Sequence, residues 1–154
     1  MDGPVPEPPP ETAETLRERI DAAMEIWRIR SDIARDTLLA RARFDDRATD
    51  QFDLLMAAMN LRLRTEIGKI ADQLRTGEIP NQEFSIRSAH VLAGAIATTY
   101  DEMDRTLPPS WRVGEERSVD LTDFIDPSVA EPLIAVESRL SIQGRRPGRN
   151  RRTP

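Results

Sequence analysis

Residues 45–80 read DDRATDQFDLLMAAMNLRLRTEIGKIADQLRTGEIP, and this stretch decides the fold. Phe52, Leu55, Met56, Met59, Leu63, Ile67, Ile70 and Leu74 recur at spacings of three and four residues. That period places them on one face of a helix in a nearly unbroken heptad-like seam. Asp45, Asp46, Thr49 and Asp50 are candidate N-caps, because a short polar side chain accepts from the orphan amides of the first turn. Gly77 is the expected C-terminal cap residue, and Pro80 follows as a stop signal.

Upstream, Leu16, Ile20, Ala23, Trp27, Ala34 and Leu38 form a second stripe, interrupted by Arg30 and Ser31. Ile26, Ile29 and Ile33 flank it, which predicts a wide buried face on a helix from about Thr12 to Phe44. Downstream, Ala89, Leu92, Ile96, Tyr100, Met103 and Leu107 predict a third helix. It begins between Pro80 and Ser85 and is closed by Pro108-Pro109. Ala93, Gly94 and Ala95 are expected to permit a close helix approach near its middle. Asp126 is a good N-cap with Pro127 at the first helical position. A short helix from Pro127 to about Leu140 follows, bent at Pro132, with Leu133, Val136 and Leu140 on its buried side. No β-strand and no internal repeat is evident. The predicted class is all-α: three long antiparallel helices in a hairpin or bundle, plus a short C-terminal helix.

The 154 residues allow one domain with tails. Leu, Ile, Val and Phe number 35, enough for a modest core but not for every residue. Residues 1–11 hold five of the twelve prolines and read as a linker, with Pro6 and Pro9 making one P-x-x-P. Residues 12–142 are the expected helical domain, and 143–154 a disordered basic tail.

Composition removes whole classes of chemistry. With no Cys there is no disulfide framework and no thiolate site, and with His90 as the single His there is no multi-His metal centre. A di-iron bundle needs paired E-x-x-H units, and the chain has none. Seven glycines without a cluster leave no phosphate-cradling loop. The expectation is a non-enzymatic chain without a cofactor. No apolar run reaches the length of a membrane span. The formal charge is −5, and the body from Thr12 to Gln143 carries −7, a poor match for nucleic acid. Among the basic residues only Lys69 is a lysine. The arginine bias fits a GC-rich coding sequence and points to a bacterium.

Several groups carry two readings. Asp45, Asp46, Asp50 and Asp53 either hold a hard cation or enrich a helix start in acids that complement its dipole. The second is preferred, since the Gly and terminal Glu of an EF-hand loop are missing and Arg41, Arg43 and Arg47 stand close by. His90 lies at the edge of a stripe and reads as a surface or boundary residue. Met24, Met56, Met59 and Met103 read as core rather than as a promiscuous binding surface. Trp27 and Tyr100 likewise read as core or hairpin contacts. In Val119–Pro127, apolar and acidic residues interleave. Leu121, Phe124 and Ile125 either dock a partner or fold back over an open end of the bundle, the latter being preferred. Arg145, Arg146, Arg149, Arg151 and Arg152 either contact phosphates of nucleic acid or anionic lipid, or form a solubilising end.

The order of long helix, acidic break, seam helix, Gly/Pro turn and third helix over residues 16–111 resembles the Spy and CnrX-like group. These are periplasmic helical-hairpin proteins that include chaperones and metal-stress sensors. Members carry Leu-Thr-x-x-Gln signatures at helix starts, and the matching stretches here are Ala48-Thr49-Asp50-Gln51, with its Gln one place early, and Leu107-Pro108-Pro109-Ser110-Trp111, which keeps the Leu and a Pro at the third place. No His or Met set matches a metal-sensing site. The resemblance implies a homodimeric cradle that binds unfolded or partner protein on an apolar, Arg-rimmed concave face. The corresponding expectation is an envelope chaperone or stress-linked binder. The alternative is a cytoplasmic adaptor or assembly protein that contacts a protein or polyanion through its C-terminal segments. The compartment depends on whether Met1 is the native start.

Overall fold

The computed structural model describes residues 3, 13–112, 119–132 and 134. Three long helices pack together: α1 (Ala13–Ala42), α2 (Asp46–Arg75) and α3 (Asn81–Thr106). Short 3-10 turns follow at Pro109–Trp111, Leu121–Phe124 and Pro127–Ala130. Among the described residues there is no strand. Residues 1–2, 4–12 and 143–154 lie outside the described set, as does most of the helix predicted after Ala130.

Both interhelical turns share one backbone solution. At the end of α2 the Glu78 amide donates to the Gln73 carbonyl (2.8 Å) and the Gly77 amide to Leu74 (3.1 Å). Gly77 adopts φ +81°, completing a Schellman motif. At the end of α1 the Phe44 amide reaches back to Leu39, and Arg43 takes the equivalent left-handed position at φ +54°. Asp45 then caps α2, its carboxylate accepting from the Ala48 amide at 2.8 Å. Of the candidate caps, only this residue stands one position before the first helical turn.

The α2 seam forms the centre of the core. Phe52, Met56, Met59, Leu63, Ile67 and Ile70 are buried, while Leu55 and Leu74 are half-buried. The most extensive helix contact is α2 along α3. These two run antiparallel, as the pairs Arg62–Glu102 and Gln73–Arg87 show. Ala95, Thr99 and Met103 are the buried positions of α3. Of the expected stripe, Met103 and Leu107 are buried and Leu92, Ile96 and Tyr100 pack half-buried against the core, while Ala89 is exposed and Ala95 and Thr99 add buried positions beside it. Gly94 faces open space, so no close approach occurs there.

The larger correction concerns α1. Only Leu38 and Ala42 are buried; Ala34, Trp27, Met24, Ile20 and Leu16 are half-buried, and Ala23 is exposed. Ile26, Ile29 and Ile33 stand 60%, 50% and 60% exposed, so the wide buried face does not form. The reason lies in what α1 packs against. Its main contacts are with the three 3-10 turns, which reach one side of the helix. Residues 119–130 supply Val119, Leu121, Phe124, Ile125 and Val129 to the core beside the α2 seam. Phe52 contacts Phe44 in a tilted pair (ring centroids 6.4 Å) and Phe124 in a T-shaped one (5.3 Å).

Candidate functional site

Residues 119–130 form a strap held by named polar contacts. The Tyr100 hydroxyl donates to the Val119 carbonyl. Asn60 bonds in both directions: its amide nitrogen donates to Phe124 O (3.1 Å) and Met56 O (3.0 Å), while its oxygen accepts from the Asp126 amide (2.7 Å). Arg64 donates to Ser128 Oγ at 2.9 Å. Within the strap, Asp120 accepts from the Thr122 hydroxyl and amide, which hold its carboxyl below the usual range against a smaller burial effect. Burial pushes the Asp126 carboxyl up. The Ser128 amide and hydroxyl, with Arg64 and Arg28 nearby, outweigh that and leave it lowered.

Trp111 fastens the adjoining end. It is buried, stacks on Tyr100 at 6.3 Å and lies under the Arg112 guanidinium at 5.1 Å. Arg112 is itself bonded to Asp104. Arg41 of α1 donates to the Trp111 carbonyl at 3.1 Å.

Leu121, Phe124 and Ile125 are thus in the core, the position the fold-back reading gives them, and offer no exposed contact surface in this conformation. Arg145, Arg146, Arg149, Arg151 and Arg152 lie outside the described residues. The aspartates of the α1–α2 turn divide between separate tasks. Asp45 caps, and Asp53 takes a bidentate bond from Arg35 (2.9 Å and 2.9 Å) that holds this guanidinium above its usual range. Asp46 and Asp50 are exposed. The partner is Arg35 rather than the arginines nearest in sequence, because α1 and α2 run antiparallel from the turn. Among the described residues, no group of three or more His, Cys, Asp or Glu could hold a metal ion. His90 is exposed; Met56, Met59 and Met103 are buried and Met24 half-buried. No helix among the described residues is long and apolar enough to cross a membrane.

What remains as a candidate contact surface is aliphatic. Leu54 (70%) and Leu61 (57%) stand exposed seven residues apart on α2, with exposed Ala57 and Ala58 between them. This face lies opposite the Phe52–Leu63 seam, and exposed Arg47 and Arg64 border it. Ile86 is exposed on α3, and Ile26, Ile29 and Ile33 on α1. The periodicity of α1 does hold a signal for its exposed line. Ile20, Met24, Trp27, Ser31, Ala34 and Leu38 form one heptad seam, whereas Ala22, Ile26, Ile29 and Ile33 form another about half a turn away. Two seams so far apart cannot both face one core.

No family model matches this chain, and neither a curated protein nor a solved structure matches it.

Proposed function

We propose that the chain is a non-enzymatic helical protein-binding module that acts as a chaperone or stress-linked binder in the bacterial envelope. The observation that carries the reading is the exposed Leu54–Leu61 face of α2. Large aliphatic side chains standing free on a well-packed helix mark contact surfaces when they cluster. The bordering Arg47 and Arg64 suit acidic or amphipathic segments of a partner, since Arg combines charge with an adaptable apolar stem. The face needs no rearrangement of the core to be used. An adaptor working through Leu121, Phe124 and Ile125 would first have to open the strap.

The test is suppression of aggregation of a chemically unfolding client at stoichiometric amounts of the chain. Suppression that is reduced several-fold by Leu54→Asn with Leu61→Asn, in a variant of unchanged helicity, supports the reading. Absence of suppression by the native chain removes it.

A further inference from the structure

We propose that the outward face of α1 binds a second copy of this chain, as a parallel, in-register pair of α1 helices about a two-fold axis. The inference deepens the protein-binding reading by giving one surface to the chain itself. It rests on α1 and the client surface on α2, so the two fail separately.

Ala22, Ile26, Ile29 and Ile33 follow the alternating four- and three-residue spacing of a coiled-coil seam. All four are exposed, the isoleucines by half or more. The seam lies on the side of α1 away from Leu38 and Ala42, so a partner helix there meets neither the strap nor α2. The two bundles would project to opposite sides of the pair.

Charge selects the occupant and its direction. Glu18, Glu25 and Asp32 line one flank of the seam, and Ala23, Arg30 and Thr37 the other. In a parallel two-fold pair, each flank meets the opposite flank of the partner with an offset of five residues. Glu25 then faces Arg30 of the second copy, twice by symmetry, while Glu18 and Asp32 face the uncharged Ala23 and Thr37. An antiparallel pair, which sets Ile26 against Ile29, instead brings like flanks together, placing Glu25 against Asp32 twice along one side of the seam. In the single chain Glu25 accepts from Arg28 at 2.7 Å. That pair is more than half exposed, so exchanging it for an intermolecular one costs little. Arg19 and Asp36 occupy the next seam positions and meet their own copies in the pair. They confine the contact to residues 22–33 and keep it weak.

Sedimentation equilibrium of the full chain tests this. The expected result is a mass rising with concentration from 17.4 kDa toward twice that value. Ile29→Asp should abolish the rise. Glu25→Arg and Arg30→Glu should each weaken it about tenfold, and the double swap should restore it, a pattern that misfolding does not produce. Asp36→Leu should tighten pairing about tenfold by extending the seam. Because the native chain has no Cys, Ala22→Cys reports direction. A parallel pair yields a disulfide-linked dimer on oxidation, whereas an antiparallel one places position 22 opposite position 33 and yields none. A monomeric mass at every concentration, a mass of three or more copies, pairing indifferent to Ile29→Asp, or a dimer without the Ala22→Cys crosslink overturns the proposal.

Discussion

Arg43 and Gly77 occupy the same left-handed position in two successive turns, one at φ +54° and the other at +81°. A side chain there brings Cβ against the following carbonyl, which costs roughly 1–2 kcal/mol. Gly77 has no neighbouring heavy atom within 4 Å of the place a Cβ would take. Gly77→Ala should therefore destabilise by about 1 kcal/mol through the backbone alone. Arg43→Gly should stabilise by up to about 1 kcal/mol, less the extra freedom gained by the unfolded chain. Denaturant midpoints of the two variants measure both signs. Gly77 was legible in the sequence because Gly followed by Pro80 punctuates a helix end. Arg43 was not, since Arg announces no turn and the break is signalled only by the aspartates after it. The acid cluster was legible as helix-start chemistry. That Asp53 would reach Arg35 depended on the antiparallel register, which no local motif encodes.

At the scale of elements, the strap is the part most dependent on polar contacts. Asn60 serves Phe124 and Asp126, residues 64 and 66 positions away in sequence. Asn60→Leu keeps the branched shape but removes the partner of a carbonyl and an amide of the strap, a cost of about 1 kcal/mol for each hydrogen bond lost. Urea denaturation should show the loss, and hydrogen exchange should place it at Thr122 and Ser128 before the helices. Acid should act on the same element. Asp120 and Asp126 titrate below the usual carboxylate range in the folded chain. Their contribution is fully present above the unfolded value of about 4 and is lost as the pH falls through the lowered folded values. Exchange at Thr122 and Ser128 should thus rise relative to the α2 core as the pH falls below about 4, and Asp126→Asn should flatten that dependence. The interleaved apolar and acidic residues of 119–127 revealed that this segment had something to cover. They could not reveal where, because Asn60 sits one place off the seam and resembles any other polar helix residue.

At the scale of the whole molecule, three amphipathic stripes suggest long antiparallel helices packed in a hairpin or bundle, and three long helices do pack together. What the stripes do not reveal is that part of the surface around α1 and α2 is filled by chain that follows α3. The core becomes the α2–α3 hairpin, the strap and one side of α1. Apolar periodicity reports that a face avoids water, not which element covers it, so α1 read as having a wide buried face. The two arrangements assign opposite energetic roles to two residues. In a bundle with a wide α1 face, Ile29 would be costly to remove and Leu121 would be a peripheral contact. In this fold Leu121 is fully buried and Ile29 half exposed. Leu121→Ala should cost about 2–5 kcal/mol, the loss expected when a buried leucine leaves a cavity. Ile29→Ser should change stability by no more than about 0.5 kcal/mol when measured at a concentration where the chain is monomeric. Equilibrium denaturation of the two variants settles which element completes the core: the larger loss at Leu121 means that residues 119–130, not a second face of α1, close this molecule.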